Sequence, residues 1–322
     1  MKHLAVLTSG GDAPGMNAAV RAVVRTAAAA GVRVTGVADG YQGLLDGAFS
    51  DLTTRSVSSV IQLGGTLLGT SRCPGFHEPE GRAQAFGALK RRGVEGLVVI
   101  GGNGSYQGAI IFHREHGLPV MGLPGTIDND VVSTNFTIGF DTAVNTAIQA
   151  IDRIRDTAHS LDRAFFIEVM GRKSGAIAVA SAIAGGAEAV LVPEEQEPLA
   201  RVLDRLREAS ARGKRSLVVV VAEGALAGGA QELAHAAEAE LGIKGRVTVL
   251  GHVQRGGSPT ALDRILASRM GVAAVRGLIA GERFTQVVVR GGQIELRPLD
   301  EATPVQDALR AELLDVCREL AH

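Results

Sequence analysis

The chain has 322 residues, of which 46% are hydrophobic, and its 33 basic residues are almost balanced by 34 acidic ones. A chain of this length is too long for one compact core and predicts a protein of two lobes. The net charge of -1 argues against a nucleic-acid partner, because any anion site must come from a local cluster of cations.

The cysteine content and the N-terminal sequence indicate a cytoplasmic chain. Cys73 and Cys317 are its two cysteines, so no disulfide framework is expected. The N-terminus lacks a charged segment followed by an apolar core and a cleavage site. The apolar runs are far shorter than the roughly 20 residues that cross a bilayer. We therefore expect a cytoplasmic protein without a membrane span.

Short β-branched runs alternate with longer helical patterns, which predicts an α/β fold with mainly parallel sheets and crossover helices. No composition shift marks the edges of the two lobes. The strand runs are HLAVL, VTGVA, GLVVI, PVMGL, FFIEV, AVLV, LVVVV and VTVL. The predicted helices are Asn17–Ala30, Arg82–Arg92, Asp141–His159, Pro198–Arg212, Ala230–Leu241, Ala261–Ala280 and Val305–Leu320.

The first strand runs into a glycine-rich loop, Thr8–Asn17 (TSGGDAPGMN), that opens a helix. Such a loop can place backbone N–H groups against a phosphate at the helix N-terminus. The alternative is a tight turn in which Gly10 and Gly11 relieve strain and Asp12 caps the helix. This loop alone leaves both interpretations open.

A second glycine-rich loop, Gly101–Gly108 (GGNGSYQG), follows the GLVVI strand and also opens a helix. Its glycine spacing differs from the GxGxxG fingerprint and no acid follows a second strand at the expected distance. A nicotinamide-dependent oxidoreductase is therefore a poor alternative. The chain also lacks GxxxxGK followed by Ser or Thr and the HRD and DFG motifs, which excludes a P-loop protein and a protein kinase. Phosphate remains a candidate ligand.

Two acids, Asp128 and Asp130, directly follow the apolar run Pro119–Leu123 in the segment PGTIDND. Ligands bind at the carboxyl ends of strands in open α/β sheets, where these carboxylates can serve as a general base and a metal ligand. The alternative is an Asx-rich turn, because Asp and Asn bond to their own backbone in loops.

Two later loops carry cations after predicted strands: Met170–Gly175 (MGRKSG) and Leu250–Gly257 (LGHVQRGG). Arginine is suited to bidentate contact with a phosphate ester. The alternative for each cation is a solvated loop charge. The alternative for His252 is a structural role as a hydrogen-bonding group.

Eight motifs, taken in this order, resemble the bacterial 6-phosphofructokinase family, and the likeness runs from Leu4 to about Met270. They are TSGGDAPGMN, DGYQGL, GGTLLGTSRCP, PGTIDND, IGFDTA, EVMGR, AIAGGAE and LGHVQRGGSP. The resemblance implies transfer of the ATP γ-phosphoryl group to the 1-hydroxyl of fructose 6-phosphate with Mg²⁺, giving fructose 1,6-bisphosphate and ADP in the committed step of glycolysis. It further implies a phosphofructokinase-like fold and an allosteric homotetramer. The larger ATP-binding domain would comprise residues 1–139 and about 251–301, and the smaller fructose-6-phosphate-binding domain residues 140–250 and about 302–322.

The same resemblance assigns roles to individual residues. Asp128 would be the general base, Arg172 would face the transferring group, and Thr126 and Asp130 would help to hold substrate and metal. The implied ATP-binding residues are Gly11, Arg72, Cys73, Gly102, Asn103, Gly104 and Ser105. The implied sugar-phosphate residues are Thr126, Asp128, Met170, Gly171, Arg172, Glu223, His252 and Arg255 of one subunit, with Arg163 and Arg246 of its neighbour.

A second anion site is suggested by Arg21 and Arg25, four residues apart on the polar side of the first helix. The resemblance places these two arginines in an effector site between subunits that takes ADP or phosphoenolpyruvate. The alternative is a solvated helix face and a basic helix C-terminus favoured by the helix dipole. The other residues implied at this effector site are Arg155, Gly186, Glu188, Arg212, Lys214 and Arg215.

One residue departs from the family pattern: GGNGS carries Asn103 where the family has the Asp of GGDGS, which is associated with the nucleotide magnesium. An amide lacks the charge that a hard cation favours, so we expect weaker use of Mg²⁺-ATP. This departure keeps open a catalytically impaired homologue that acts as a phosphate-ligand sensor. Gly104 and Gly125 resemble the ATP-using branch of the family, which argues against the remaining alternative of a pyrophosphate-dependent enzyme.

Overall fold

The computed structural model of the chain describes residues 1–161, 163–195, 197–214 and 216–320, without the side chains of residues 158–161 and 306–308. The described chain divides into two compact units, each formed by more than one segment. Unit 1 comprises Met1–Thr126, Asp130–Asp141 and Arg255–Val305. Unit 2 comprises the described residues of Ile127–Asn129, Thr142–Gln254 and Gln306–His322.

The strands of the described chain form two sheets, which confirms the predicted α/β class. Their bounds are β1 (His3–Ser9), β2 (Arg33–Val37), β3 (Phe49–Leu52), β4 (Gly96–Gly101), β5 (Val120–Pro124), β6 (Ala164–Val169), β7 (Ala189–Leu191), β8 (Leu217–Ala222), β9 (Gly245–Val249), β10 (Phe284–Arg290) and β11 (Gln293–Pro298).

The helices connect these strands and cover the sheets, as crossover connections do in α/β folds. Their bounds are α1 (Met16–Ala29), α2 (Gly40–Asp46), α3 (Pro79–Arg91), α4 (Asn103–His116), α5 (Phe140–Leu161), α6 (Ala176–Gly185), α7 (Leu199–Ala211), α8 (Gly229–Leu241), α9 (Ala261–Ala280) and α10 (Val305–Leu320). Short 3-10 helices cover Pro74–His77 and Gly251–Gln254.

The sheet of unit 1 has seven strands in the order β11-β10-β5-β4-β1-β2-β3. Its inner strands pair in parallel, while β3 and β11 pair antiparallel at the two edges. Strands β1, β4 and β5 are buried along their whole length, as their continuous apolar sequences require of strands covered on both faces. One cluster of the unit 1 core includes Leu7, Leu44, Leu89, Leu97, Phe112 and Val120.

The sheet of unit 2 has four parallel strands in the order β7-β8-β6-β9. Strand β8 is buried at every position, and α7 and α8 pack against this sheet through their apolar sides. A cluster of its core includes Phe166, Val202, Leu206, Val219, Val221 and Leu233.

All seven predicted helices are present, with starts that differ from the prediction by up to three residues. Helix α4 begins at Asn103, within the loop Gly101–Gly108 that was expected to open a helix, while α2 and α6 were not predicted. Helix α2 is seven residues long with two glycines, and the AIAVASAIAG sequence of α6 is too uniformly apolar to show a helical period. The prediction also omitted β3, β10 and β11.

Two features of the described chain bear on its chemistry. No helix there is both long enough and apolar enough to serve as a membrane span. Cys73 and Cys317 are both free thiols.

Candidate active site

Three loops meet at the carboxyl edge of the unit 1 sheet, because β4 lies between β1 and β5. The loop after β5 is bonded to the end of β4, with the Gly125 N–H donating to the Gly101 carbonyl at 3.0 Å. The loop after β1 is held by Thr70, whose hydroxyl donates to the Gly10 carbonyl at 2.6 Å. The sequence-predicted loops Thr8–Asn17, Gly101–Gly108 and PGTIDND therefore follow adjacent strands.

The N-terminus of α4 has the features of an anion site. Gly102 is the residue before the helix, and the helix opens with Asn103, Gly104 and Ser105, whose positions place backbone N–H groups at its positive end. A Cβ atom added at Gly104 would meet no atom within 4 Å, so there is open space beside this turn. At Gly101 a Cβ would lie 2.5 Å from the Ser105 hydroxyl, which requires glycine there.

Asn103 and Asp130 are bonded to one another within unit 1. The Asn103 side-chain amide donates to the Asp130 carboxylate (Nδ2 to Oδ2, 3.0 Å) and to its backbone carbonyl (3.1 Å). The two predicted metal residues therefore lie side by side. The amide directs a donor, not an oxygen ligand, toward the carboxylate.

Asp128 is 5% exposed and belongs to the short segment Ile127–Asn129 of unit 2. On one side, Thr126 is fixed in unit 1, because its N–H donates to the Ile138 carbonyl at 3.1 Å and its carbonyl accepts from Thr137 at 2.7 Å. On the other, Asn129 has a left-handed backbone with φ of 47°. The Asp128 carboxylate therefore lies on a short turn between the hydrogen-bonded backbone of Thr126 and the left-handed backbone of Asn129.

Arg82 anchors the segment that holds Arg72 and Cys73, a role that the sequence analysis missed. Its guanidinium donates to the Phe76 and His77 carbonyls at 2.9 and 2.7 Å and to both Glu115 oxygens at 2.6 Å. This pairing lowers the pKa of Glu115. Arg72 itself is exposed, while burial raises the pKa of the Cys73 thiol. No sequence signal distinguished Arg82 from other helix arginines.

Arg255 lies against the loop after β1. A Cβ added at Gly11 would be 2.5 Å from its Nη1, and Nη1 is 3.9 Å from the Asp12 carboxylate. Gly11 is therefore the residue that admits this guanidinium. His252, predicted to act with Arg255, is exposed in the 3-10 helix Gly251–Gln254 of unit 2.

The loop Met170–Gly175 connects β6 to α6 in unit 2 and carries Arg172. The Glu223 carboxylate, at the end of β8, accepts from the Gly171 and Arg172 N–H groups at 3.3 and 2.7 Å. The buried Gln254 side chain accepts from the Met170 N–H at 2.8 Å. Arg172 has a left-handed backbone with φ of 56°, so these bonds stabilise a conformation that non-glycine residues rarely adopt.

Arg163 and Arg246 lie at the opposite end of the same sheet. Arg163 immediately precedes β6, and Arg246 on the neighbouring strand β9 is paired with Phe165. Met170 and Glu223 instead follow the carboxyl ends of β6 and β8. A six-residue strand spans about 20 Å, so one sheet does not bring the two groups together.

The predicted effector residues are distributed over both units. Arg21 and Arg25 lie on α1 in unit 1, with the apolar side of that helix buried as expected. In unit 2, Arg155 donates to the Gly185 and Gly186 carbonyls at 2.5 and 2.6 Å. Lys214 lies 3.4 Å from Glu188, which is 4% exposed. Arg212 is exposed just after α7, and Arg215 lies outside the described residues.

No group of three or more His, Cys, Asp or Glu side chains suited to a metal ion occurs within the described part of the chain. Asp130 offers one carboxylate in the predicted position, and Mg²⁺ is usually held by one or two carboxylates and by substrate phosphates.

Comparisons with known proteins agree on one family. A family model described as phosphofructokinase matches residues 3–278. The ATP-dependent 6-phosphofructokinase 1 of Thermus thermophilus is 54% identical over 321 residues, and the ATP-dependent 6-phosphofructokinase of Clostridium acetobutylicum is 50% identical; both alignments cover 100% of each chain.

Solved structures are also similar. The phosphofructokinase of Saccharomyces cerevisiae has a TM-score of 0.90 and 37% identity over 100% of this chain, which spans about half (48%) of the yeast chain. A pyrophosphate-dependent phosphofructokinase from Marinobacter aquaeolei shares the fold, with a TM-score of 0.83 and 23% identity over 98% of this chain and 91% of its own. This chain therefore belongs to the phosphofructokinase family.

Proposed function

We propose that the chain is an ATP-dependent 6-phosphofructokinase, which converts fructose 6-phosphate and ATP to fructose 1,6-bisphosphate and ADP. The names of full-length bacterial relatives support this assignment. The observation in the structure that carries it is the buried Asp128, four residues beyond the end of β5, a strand whose neighbours β4 and β1 lead into the two glycine-rich loops. The reaction is the committed step of glycolysis and takes place in the cytoplasm.

Unit 1 is the ATP-binding domain under this proposal. The phosphates lie at the N-terminus of α4 and along the loop after β1, where glycines permit close approach of the backbone. The open space at Gly104 supports this placement. The residues that bind ATP are Gly11, Arg72, Cys73, Gly102, Asn103, Gly104 and Ser105.

Asp128 is the general base that accepts the proton of the sugar 1-hydroxyl. Phosphoryl transfer requires mainly alignment and neutralisation of charge, so one carboxylate at the nucleophile and cations at the moving group suffice. Arg172 faces the transferring phosphoryl group, where its charge stabilises the transition state. Thr126 helps to orient the sugar hydroxyl and the phosphoryl group.

Asp130 is the residue that would hold Mg²⁺ together with the nucleotide phosphates. When bound, the ion supplies positive charge that neutralises the phosphate oxygens. Asn103 contributes at most an uncharged amide oxygen, and its N–H group is bonded to Asp130. We therefore expect this chain to need a higher Mg²⁺ concentration than a relative with Asp at that position.

Unit 2 supplies most of the residues that bind the sugar phosphate, while Arg255 belongs to unit 1. Met170, Gly171, Glu223, His252 and Arg255 belong to one subunit, and Arg163 and Arg246 serve the site of its neighbour. The position of the last two at the opposite end of β6 supports a shared site, because one subunit cannot supply both groups from the same sheet. A shared site requires an oligomer, and we propose a homotetramer.

An effector such as ADP or phosphoenolpyruvate binds at a second site between subunits. The positive charges of Arg21 and Arg25 on α1 and of Lys214 beside Glu188 support an anionic effector. The remaining residues of this proposed site are Arg155, Gly186, Arg212 and Arg215.

The test is production of fructose 1,6-bisphosphate by the purified protein with ATP or pyrophosphate over a Mg²⁺ titration. ATP-dependent product is expected, and Asp128→Asn should lower kcat by about 10²–10⁴-fold with fructose 6-phosphate binding retained. The matched control is Asp51→Asn, an 82% exposed carboxylate on β3, which should leave kcat unchanged. Product with pyrophosphate alone, or full activity of Asp128→Asn, would contradict the proposal.

A further inference from the structure

The loop Met170–Gly175 is held at both ends by carboxylates from other parts of unit 2. Glu223 accepts from the N–H groups of Gly171 and Arg172, as described above. At the other end, the Glu194 carboxylate accepts from the Gly175 N–H with both oxygens, at 2.9 and 3.0 Å. Arg172 thus lies between two backbone anchor points.

Glu194 also occupies a favourable electrostatic position. Gly175 is the residue before α6 and has no side chain with which to cap the helix, so Glu194 supplies the negative charge at its N-terminus. The approach is close, because a Cβ at Gly175 would lie 2.4 Å from Val192 and 2.7 Å from a Glu194 oxygen. The segment after β7 is therefore packed directly on the end of the loop.

Arg310 of α10 holds Glu194 from the other side. Its guanidinium donates to the same Oε1 atom that accepts from Gly175. Both side chains are mostly covered, with 18% of Arg310 and 25% of Glu194 exposed, so water screens this ion pair only in part. A continuous set of contacts runs from the C-terminal helix through Glu194 to the backbone of the loop that carries Arg172.

The loop has little freedom to absorb a change at either anchor. The Ser174 N–H donates to the Gly171 carbonyl at 2.8 Å, and a Cβ at Gly171 would lie 2.2 Å from the Ser174 carbonyl oxygen. A Cβ at Gly224 would lie 2.7 Å from the Arg172 carbonyl oxygen. Because the loop is this compact, a shift at Gly175 moves Arg172.

We propose that Glu194, held by Arg310 of the C-terminal helix, is a positioning residue that fixes Arg172 for phosphoryl transfer. The inference rests on the proposed function, because it assumes that Arg172 faces the transferring group. Loss of the anchor should reduce kcat and leave the KM values for ATP and fructose 6-phosphate within two-fold, since a misplaced charge at the reacting group weakens the transition state.

The experiment uses the full-length protein with Glu194→Gln and Arg310→Met. The Glu194→Gln change should lower kcat by about ten-fold, and Arg310→Met by about three-fold. Both should accelerate amide hydrogen exchange in the peptide that contains residues 170–176. Glu195→Gln and Arg318→Met are the matched controls, because this neighbouring ion pair also joins the segment after β7 to α10. Glu195 makes no hydrogen bond to the loop among the described residues, so the controls should stay within two-fold.

A second comparison separates positioning from a general loss of structure. In an Arg172→Ala background, Glu194→Gln should lower kcat by less than two-fold further, because the group it positions is gone. The same ten-fold loss in both backgrounds, or equal losses for Glu194→Gln and Glu195→Gln, would overturn the inference. If Glu194→Gln fails to fold, Arg310→Met is compared with its control Arg318→Met instead. An equal kcat loss for these two variants, or the same loss for Arg310→Met in the wild-type and Arg172→Ala backgrounds, would then overturn the inference.

The outcomes also distinguish this inference from the proposed function. A normal kcat for Arg172→Ala would refute both the assigned role of Arg172 and the positioning role of Glu194. A large loss for Arg172→Ala with unchanged kcat for Glu194→Gln and Arg310→Met would refute the positioning role alone.

Discussion

The uncharged side-chain amide of Asn103 donates a hydrogen bond to the carboxylate of Asp130, with 3.0 Å between Nδ2 and Oδ2. A carboxylate at position 103 would place two negative oxygens at about the same separation, where they repel unless a proton or cation lies between them. In this chain the Asn103 amide holds the Asp130 carboxylate by a hydrogen bond. Two carboxylates at these positions would need a bound cation to lie equally close together.

The Asn103→Asp substitution should increase the dependence of this region on Mg²⁺. We expect the Mg²⁺ concentration that gives half-maximal activity to fall several-fold, because a second carboxylate raises affinity for a hard cation. We also expect the melting temperature in EDTA to fall and to recover when Mg²⁺ is added. Both are measured by titration of activity and of thermal unfolding with Mg²⁺.

Asn103→Ala is the control for this prediction, because it removes the hydrogen bonds to Asp130 without adding charge. Its melting temperature should fall without recovery in Mg²⁺. Identical Mg²⁺ titrations for the wild type and Asn103→Asp would show that position 103 does not influence the ion.

Sequence patterns located the candidate loops better than the contacts that hold them. PGTIDND and MGRKSG were identified because each follows a predicted strand, and ligands bind at the carboxyl ends of strands in α/β proteins. Arg82 and Glu194 were missed, because a charged residue that bonds to a distant backbone group has no local sequence pattern. The antiparallel edge strands β3 and β11 were missed for a related reason: FSDL and QIELRP are half exposed and lack a continuous apolar run.

Gly271 permits the close packing of α9 on α1, and Gly271→Ala should destabilise the protein. The added Cβ would lie 2.6 Å from the Ala22 Cβ and 2.9 Å from the Ala19 carbonyl oxygen, so the two helices must separate. We expect the free energy of unfolding of unit 1 to fall by about 1–3 kcal/mol, measured by urea titration.

Gly87→Ala in α3 is the matched control, because it is also a helix-interior glycine. Its Cβ would approach only the flexible end of Arg91 at 3.3 Å. Stability should be unchanged or rise by up to about 1 kcal/mol, since alanine favours a helix more than glycine does. Equal effects of the two substitutions would show that the helix contact is not the cause.

Arg82→Lys should weaken both stability and ATP binding. Lysine cannot reproduce the bidentate contact with Glu115 while donating to the Phe76 and His77 carbonyls. The expected loss is about 2–4 kcal/mol of unfolding free energy, and the KM for ATP should rise because the segment that holds Arg72 is released.

Arg114→Lys is the control for Arg82→Lys. Arg114 forms an ion pair with Asp300 at 2.7 Å, and the two side chains are 62% and 41% exposed, respectively. Exposed pairs contribute little, so stability should change by no more than about 0.5 kcal/mol. A similar KM for ATP in both variants would contradict an anchoring role of Arg82.

His3 should make the stability of unit 1 sensitive to mild acid. It is 3% exposed, its Nδ1–H donates to the Arg92 carbonyl at 3.1 Å, and its Nε2 therefore accepts from the Thr35 hydroxyl at 2.8 Å. Burial, followed by the charge of Arg33, lowers the pKa of His3 below its ordinary value of 6.5. His3 consequently becomes protonated near pH 6.5 in the unfolded chain, but only at a lower pH in the folded chain.

The sign of the effect follows from this difference in proton binding. Above pH 6.5 both states are neutral at His3, and as the pH falls below 6.5 the unfolded state is favoured until the folded group also titrates. In urea titrations from pH 8 to pH 5, the wild type should therefore lose more stability than His3→Gln, whose side chain does not titrate. His235→Gln, at an exposed position on α8, should follow the wild type. Parallel curves for the wild type and His3→Gln would mean that His3 titrates normally in the fold, against the burial and the hydrogen bonds described here.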